Sequence, residues 1–70
     1  MSPGSHKLVS TDSGIWRAPG SKKCRWTYTY RTTPNGPVKK TSGRGRNPVV
    51  TIGAYGIRLT SDYCGVFTKD

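Results

Sequence analysis

Seventy residues with 31% apolar content and twelve Lys and Arg against three Asp set tight bounds on this chain. A single core at or below about 70–80 residues seldom supplies more than ~3–5 kcal/mol, which excludes a deep-clefted enzyme on a Rossmann or barrel scaffold. No apolar run approaches the ~20 residues of a membrane-spanning helix, and a formal charge of +9 directs attention to anionic partners.

Helical signals are nearly missing. The chain has no Glu or Gln and no window with apolar residues at helical spacing, whereas nine Gly, five Pro and many Ser and Thr favour turns and strands. Residues 1–6 are expected as a flexible leader and residues 7–70 as a single β domain. Met1 to Lys7 has no apolar stretch of export-signal length, and Leu8-Val9 is too short to supply one. Residues 7–9 and 14–17 read as weak strands flanking Ser10-Thr11-Asp12-Ser13, and Ala18-Pro19-Gly20-Ser21 reads as a turn. Residues 24–31 form the strongest predicted strand: Cys24, Trp26, Tyr28 and Tyr30 alternate with Arg25, Thr27, Thr29 and Arg31. Asn35-Gly36 between Pro34 and Pro37 predicts a turn. A short return strand over residues 38–41 follows, then a loop over residues 43–48. Residues 49–52 form the next strand, with Val50 and Ile52 on one face. Residues 55–60 alternate again, with Tyr55, Ile57 and Leu59 facing one way, and residues 64–68 close the domain. The whole predicts an all-β fold, a small antiparallel sandwich or barrel of about five to seven short strands.

Cys24 and Cys64 are the only cysteines. Zinc sites need closer pairs and usually four ligands, and the single histidine, His6, lies in the expected leader, so no metal site is predicted. One disulfide between them is the better reading, with two unrelated buried thiols as the alternative. In the chain-entropy model a bridge closing a loop of that length contributes ~4 kcal/mol, and it places the protein in an oxidising compartment.

The order of short motifs resembles a group of small extracytoplasmic domains of actinobacterial and actinobacteriophage proteins. These run through Gly-Thr-Tyr-Arg, a Gly turn, Cys-x-Trp, a middle Val-Thr-Ile strand and a terminal Cys-Gly-x-Trp. Gly14-Ile15-Trp16-Arg17, Pro19-Gly20, Cys24-Arg25-Trp26, Val50-Thr51-Ile52 and Cys64-Gly65-Val66-Phe67 stand at the matching places, over nearly the whole chain. Leu59, five before Cys64, stands where the family has an aromatic. The resemblance implies a disulfide-stapled β domain used for structure or interaction, with no chemistry of its own. This chain departs from the pattern in its strong basicity and in lacking a recognisable signal peptide. A virion component released by lysis, such as a phage tail or capsid accessory or decoration protein, would combine a cysteine pair with no export signal. A cell-surface location is the other extracellular setting.

Catalytic constellations are missing from the sequence. A lone His and three scattered Asp supply no nucleophile–base pair and no paired carboxylates. No catalytic residue and no cofactor is predicted, and the chain reads as a non-enzymatic structural or interaction module. Its candidates for contact with an anionic partner are Lys22 and Lys23, before the aromatic strand, and Lys39, Lys40, Arg44 and Arg46 around Gly43 and Gly45. The first choice of partner is an acidic protein surface, such as a phage capsid or tail lattice. The second is nucleic acid bound through residues 39–46, by analogy with Arg-Gly segments that contact single strands. Trp16, Trp26, Tyr28, Tyr30 and Phe67 read as core aromatics rather than a stacking platform, because Trp26, Tyr28 and Tyr30 share the face of Cys24. Arg17, Arg25, Arg31 and Arg58 fall on outward faces, where they also oppose edge-to-edge aggregation.

Overall fold

Alternation along one long strand organises the whole molecule. In the computed structural model, which describes all residues from Met1 to Asp70, Gly20–Tyr30 forms β3. Cys24 and Tyr28 on this strand are buried, Trp26 and Tyr30 are half-buried, and Arg25 is exposed. The other strands are β1 (Gly4–Lys7), β2 (Gly14–Arg17), β4 (Lys39–Arg46), β5 (Val49–Ile52), β6 (Gly56–Asp62) and β7 (Thr68–Lys69), with a 3-10 turn at Ser10–Asp12. They form two antiparallel sheets, a four-stranded one in the order β1-β6-β3-β4 and a three-stranded one in the order β5-β2-β7. The arrangement is sandwich-like, and the sheets do not close into a barrel. With principal extents of 36 × 21 × 16 Å the molecule is about as thin as two stacked sheets allow, given their ~10 Å spacing.

Between the sheets lie Tyr28 and Leu59 from one side and Val50 and Ile52 from the other, joined by Leu8, Phe67 and the two cysteines. Trp16, Trp26 and Tyr30 pack against this cluster from its margin. Tyr28 and Trp16 bury their polar atoms at little cost because each has a partner. The Tyr28 hydroxyl accepts from Gly53 N–H at 2.9 Å, and Trp16 Nε1 donates to the Asp12 carbonyl at 2.7 Å. Cys24 and Cys64 are joined, with Cα atoms 4.5 Å apart, and no free cysteine remains.

Several local expectations are corrected. Gly4–Lys7, mostly assigned to the leader, pairs with β6 as an edge strand, and Leu8 and Val9 lie beyond it. The turn predicted over residues 18–21 is shorter, since β3 already begins at Gly20. The return strand starts at Lys39 rather than Val38 and continues through Gly43–Arg46, where the glycines predict a loop. Tyr55, expected to share a face with Leu59, lies just before β6 and is 45% exposed where Leu59 is buried. Thr29 pairs with Arg58 while Tyr30 pairs with Gly56, so Ile57 is a bulge that reverses the facing of every residue before it. The closing strand shrinks to Thr68–Lys69, because Tyr63 and Gly65 adopt left-handed backbone (φ 59° and 80°) that interrupts extension.

Candidate functional site

The six basic residues singled out by sequence do not form one cluster. Strand register sorts them. The outer face of the four-stranded sheet carries three cross-strand rows. The first is Lys7–Arg58–Thr29–Lys40, the second Ser5–Thr60–Thr27–Ser42, and the third Asp62–Arg25–Arg44. A row of hydroxyls therefore lies between two rows rich in cations. The cationic rows stand four residues apart along the strands, about 13 Å at ~3.3 Å per residue. Lys40 and Arg44 share this face at opposite ends, whereas Lys39 has the other parity and pairs with Tyr30.

Lys22 and Lys23 reach the third row through an irregularity in β3. Gly20 pairs with Arg46 and Arg25 with Arg44, so Ser21, Lys22, Lys23 and Cys24 bulge opposite Gly45 alone. Gly45 accommodates this with φ 103°, a conformation that side chains beyond glycine rarely adopt. The bulge is held on one side by the disulfide. On the other, the Ser21 hydroxyl donates to the Tyr63 carbonyl at 2.6 Å and accepts from Lys23 N–H at 3.2 Å. Lys23 Nζ then lies 5.9 Å from the centre of the Tyr63 ring, which is 68% exposed. Arg46, at the start of the irregularity, stays exposed.

Two shallow depressions meet along the β3–β4 seam. One, of about 350 Å³, is lined by Arg25, Trp26, Thr27, Ser42, Gly43 and Arg44. The other, of about 230 Å³, is lined by Lys22, Lys23, Cys24, Arg25, Arg44 and Tyr63. Arg25 and Arg44 belong to both. Sequence reading placed Arg25 and Thr27 outward by parity, but nothing local marks Ser42 or Tyr63. Register with Thr27 brings in Ser42, and the left-handed turn at Tyr63 brings in the last.

Charge here is uncompensated. Arg17–Asp70, at 2.6 Å on the opposite sheet, is the only ion pair, so every other Lys and Arg lacks a carboxylate within 4 Å. Asp62 neighbours Arg25 across β6 without bonding to it. No group of three His, Cys, Asp or Glu side chains is placed to hold a metal. The His6 ring hydrogen-bonds the Ser2 carbonyl through Nε2 at 2.7 Å. No helix is long and apolar enough to cross a membrane.

Gly43 fixes the seam from within. A Cβ at this position would stand 2.7 Å from the Trp26 indole, because the ring lies flat against the strand where it has no side chain. Gly43→Ala is therefore expected to push β4 off Trp26 and cost about 1–3 kcal/mol in denaturant unfolding with the disulfide intact. Ser42→Ala next to it, on the solvent side, is expected to change stability by less than ~0.5 kcal/mol. Equal small effects at both positions would contradict the packing described.

Comparison with protein-family models, curated proteins and solved structures finds no match to this chain.

Proposed function

We propose that this protein is a non-enzymatic interaction module that docks the outer face of its four-stranded sheet on an acidic surface of a protein partner. The observation that carries the reading is the composition of that face. Lys7, Arg58, Lys40, Arg25 and Arg44 stand against the single acid Asp62, and none is held in an ion pair. Isolated cations on a surface are ordinarily solvated. Here they lie on a sheet of fixed register, and a rigid array favours a complementary surface at low ordering cost. The working environment is oxidising and extracellular, since the Cys24–Cys64 bridge closes the domain. The motif resemblance to actinobacterial and phage domains makes a virion accessory or a cell surface the setting.

A nucleic-acid reading draws on β4, an edge strand with four cations and no acid. The decisive experiment titrates the oxidised chain with a poly-glutamate peptide and with a single-stranded oligonucleotide at low and moderate salt. Docking on an acidic protein predicts peptide binding that charge reversal at Lys40 and Arg58 removes, with weaker oligonucleotide binding. Oligonucleotide affinity that exceeds peptide affinity, and falls by orders of magnitude between about 50 and 200 mM salt, would establish the nucleic-acid reading instead.

A further inference from the structure

We propose that Arg25, Arg44, Thr27 and Ser42 form a discrete site for a tetrahedral oxyanion, the sulfate or phosphate ester group of a larger molecule. The proposal deepens the docking reading above, since the site lies within the same sheet face.

Register supplies the first ground. Arg25 stands directly opposite Arg44, and Thr27 directly opposite Ser42, two residues further along and on the same side of the sheet. Like charges directly opposite one another destabilise a sheet, and Cβ atoms at such positions are only ~4.5–5.5 Å apart. No carboxylate bridges the two guanidinium groups, the only ion pair being Arg17–Asp70 on the other sheet. An anion seated between them would convert that repulsion into attraction.

Shape is the second ground. These four residues line the larger depression on the β3–β4 seam together with Trp26 and Gly43. The β3–β4 ladder is paired without a break from Arg25–Arg44 to Tyr30–Lys39, which fixes the spacing of the two charges, and the Trp26 indole packs on Gly43 between the same strands.

Donor chemistry selects the ligand. Each guanidinium offers a planar fork of N–H groups suited to paired oxygens, and each hydroxyl rotates to donate. A carboxylate has two oxygens, and the forks would take both and leave the hydroxyls idle. A sulfate or phosphate ester presents three free oxygens, enough for both forks and the hydroxyl pair together. The open depression leaves the fourth, ester oxygen pointing to solvent. The adjoining depression shares both arginines and adds Lys22, Lys23 and the exposed Tyr63 ring, where the carbon skeleton of the ester would lie.

The test is a nuclear magnetic resonance titration of the full oxidised chain with inorganic phosphate, then with glucose 6-phosphate and glucose 6-sulfate, at constant ionic strength. Expected is saturable one-to-one binding. Shifts would concentrate at the Arg25 and Arg44 side-chain Nε–H and at the Thr27 and Ser42 amides. Arg44→Gln is expected to weaken binding by at least about tenfold, and Thr27→Val with Ser42→Ala, which removes both hydroxyls, by a smaller factor. Lys39→Gln with Lys40→Gln, which removes more charge from the same strand, should change it by less than about twofold. A sugar phosphate and a sugar sulfate that saturate the same resonances differ only in strength, and the stronger names the natural ester. In phosphate-free buffer Arg44→Gln should also melt no lower than the parent chain, which separates lost binding from lost folding. Linear, unsaturable shifts spread over the sheet, or equal losses in the Arg44 and Lys39/Lys40 variants, would overturn the site. Poly-glutamate binding that persists in that case leaves the docking reading standing. Saturable phosphate binding without any affinity for acidic peptide leaves the site standing and removes the docking reading.

Discussion

Reduction of the Cys24–Cys64 bridge is expected to remove about 4 kcal/mol of stability, the chain-entropy value for a closed loop of this size. The bridge spans a sequence separation of 40 and joins the bulge of β3 to the turn after β6. At roughly 0.05–0.15 kcal/mol per residue, a domain this short has only about 4–10 kcal/mol to lose. The melting temperature should then fall by on the order of 20 °C, at ~4–8 °C per kcal/mol for a domain of this size. Both cysteines are fully buried, so reductant must be applied in denaturant and the chain refolded before melting. Cys24→Ala with Cys64→Ala checks the same quantity without reductant. Reduced and oxidised chains melting within ~5 °C of each other would show that the two sheets hold together without the bridge.

The same loss should reach the cationic face. Gly20 N–H donates to the Cys64 carbonyl at 2.8 Å and the Ser21 hydroxyl to the Tyr63 carbonyl, so the bridge is one of three ties between the bulge and the turn. Lys22, Lys23 and Tyr63 owe their proximity to those ties. Arg25 and Arg44 are set by paired strands instead. Reduction in a chain that stays folded would therefore loosen the smaller depression before the larger one.

What could be read from residues alone follows the range of the forces involved. β2 and β5 span the predicted residues, and the aromatic face of β3 appears where period-two alternation puts it, because a half-buried strand writes its own pattern. The cysteine pair was legible for a similar reason, since so small a core needs a staple. The misreadings all involve residues whose conformation is decided elsewhere in the chain. Gly43 and Gly45 look like loop residues, yet one is required by the indole across the strand and the other by a four-residue bulge. Tyr63 holds a left-handed conformation that no neighbour in sequence predicts. Candidate contacts suffered most. A basic stretch such as residues 39–46 is visible as composition, but its division into outward Lys40 and Arg44 and inward-parity Lys39 needs the register. The hydroxyl row Ser5–Thr60–Thr27–Ser42 comes from four different strands and leaves no trace in any one of them.

Phe67→Ala is expected to cost about 3–5 kcal/mol even with the disulfide intact, enough to unfold much of the population. Phe67 is the largest of the fully buried side chains, in a core of only eight apolar residues. The backbone around it is anchored. Its N–H donates to the Met1 carbonyl at 2.9 Å, and β7 begins at the next residue, pairing with β2. The chain there cannot easily sink into the space a deleted ring would leave. A larger core spreads such a cavity over many neighbours, but here few side chains can shift to fill it, which places the cost at the upper part of the range. Val66→Ala, one residue away and 53% exposed, is expected to stay within ~0.5 kcal/mol. Phe67→Leu, which keeps most of the volume, should fall between the two. Urea midpoints of the three oxidised variants test the order. A Phe67→Ala cost below ~1 kcal/mol would mean that the two sheets close over the gap, and that the disulfide rather than the apolar core sets their separation.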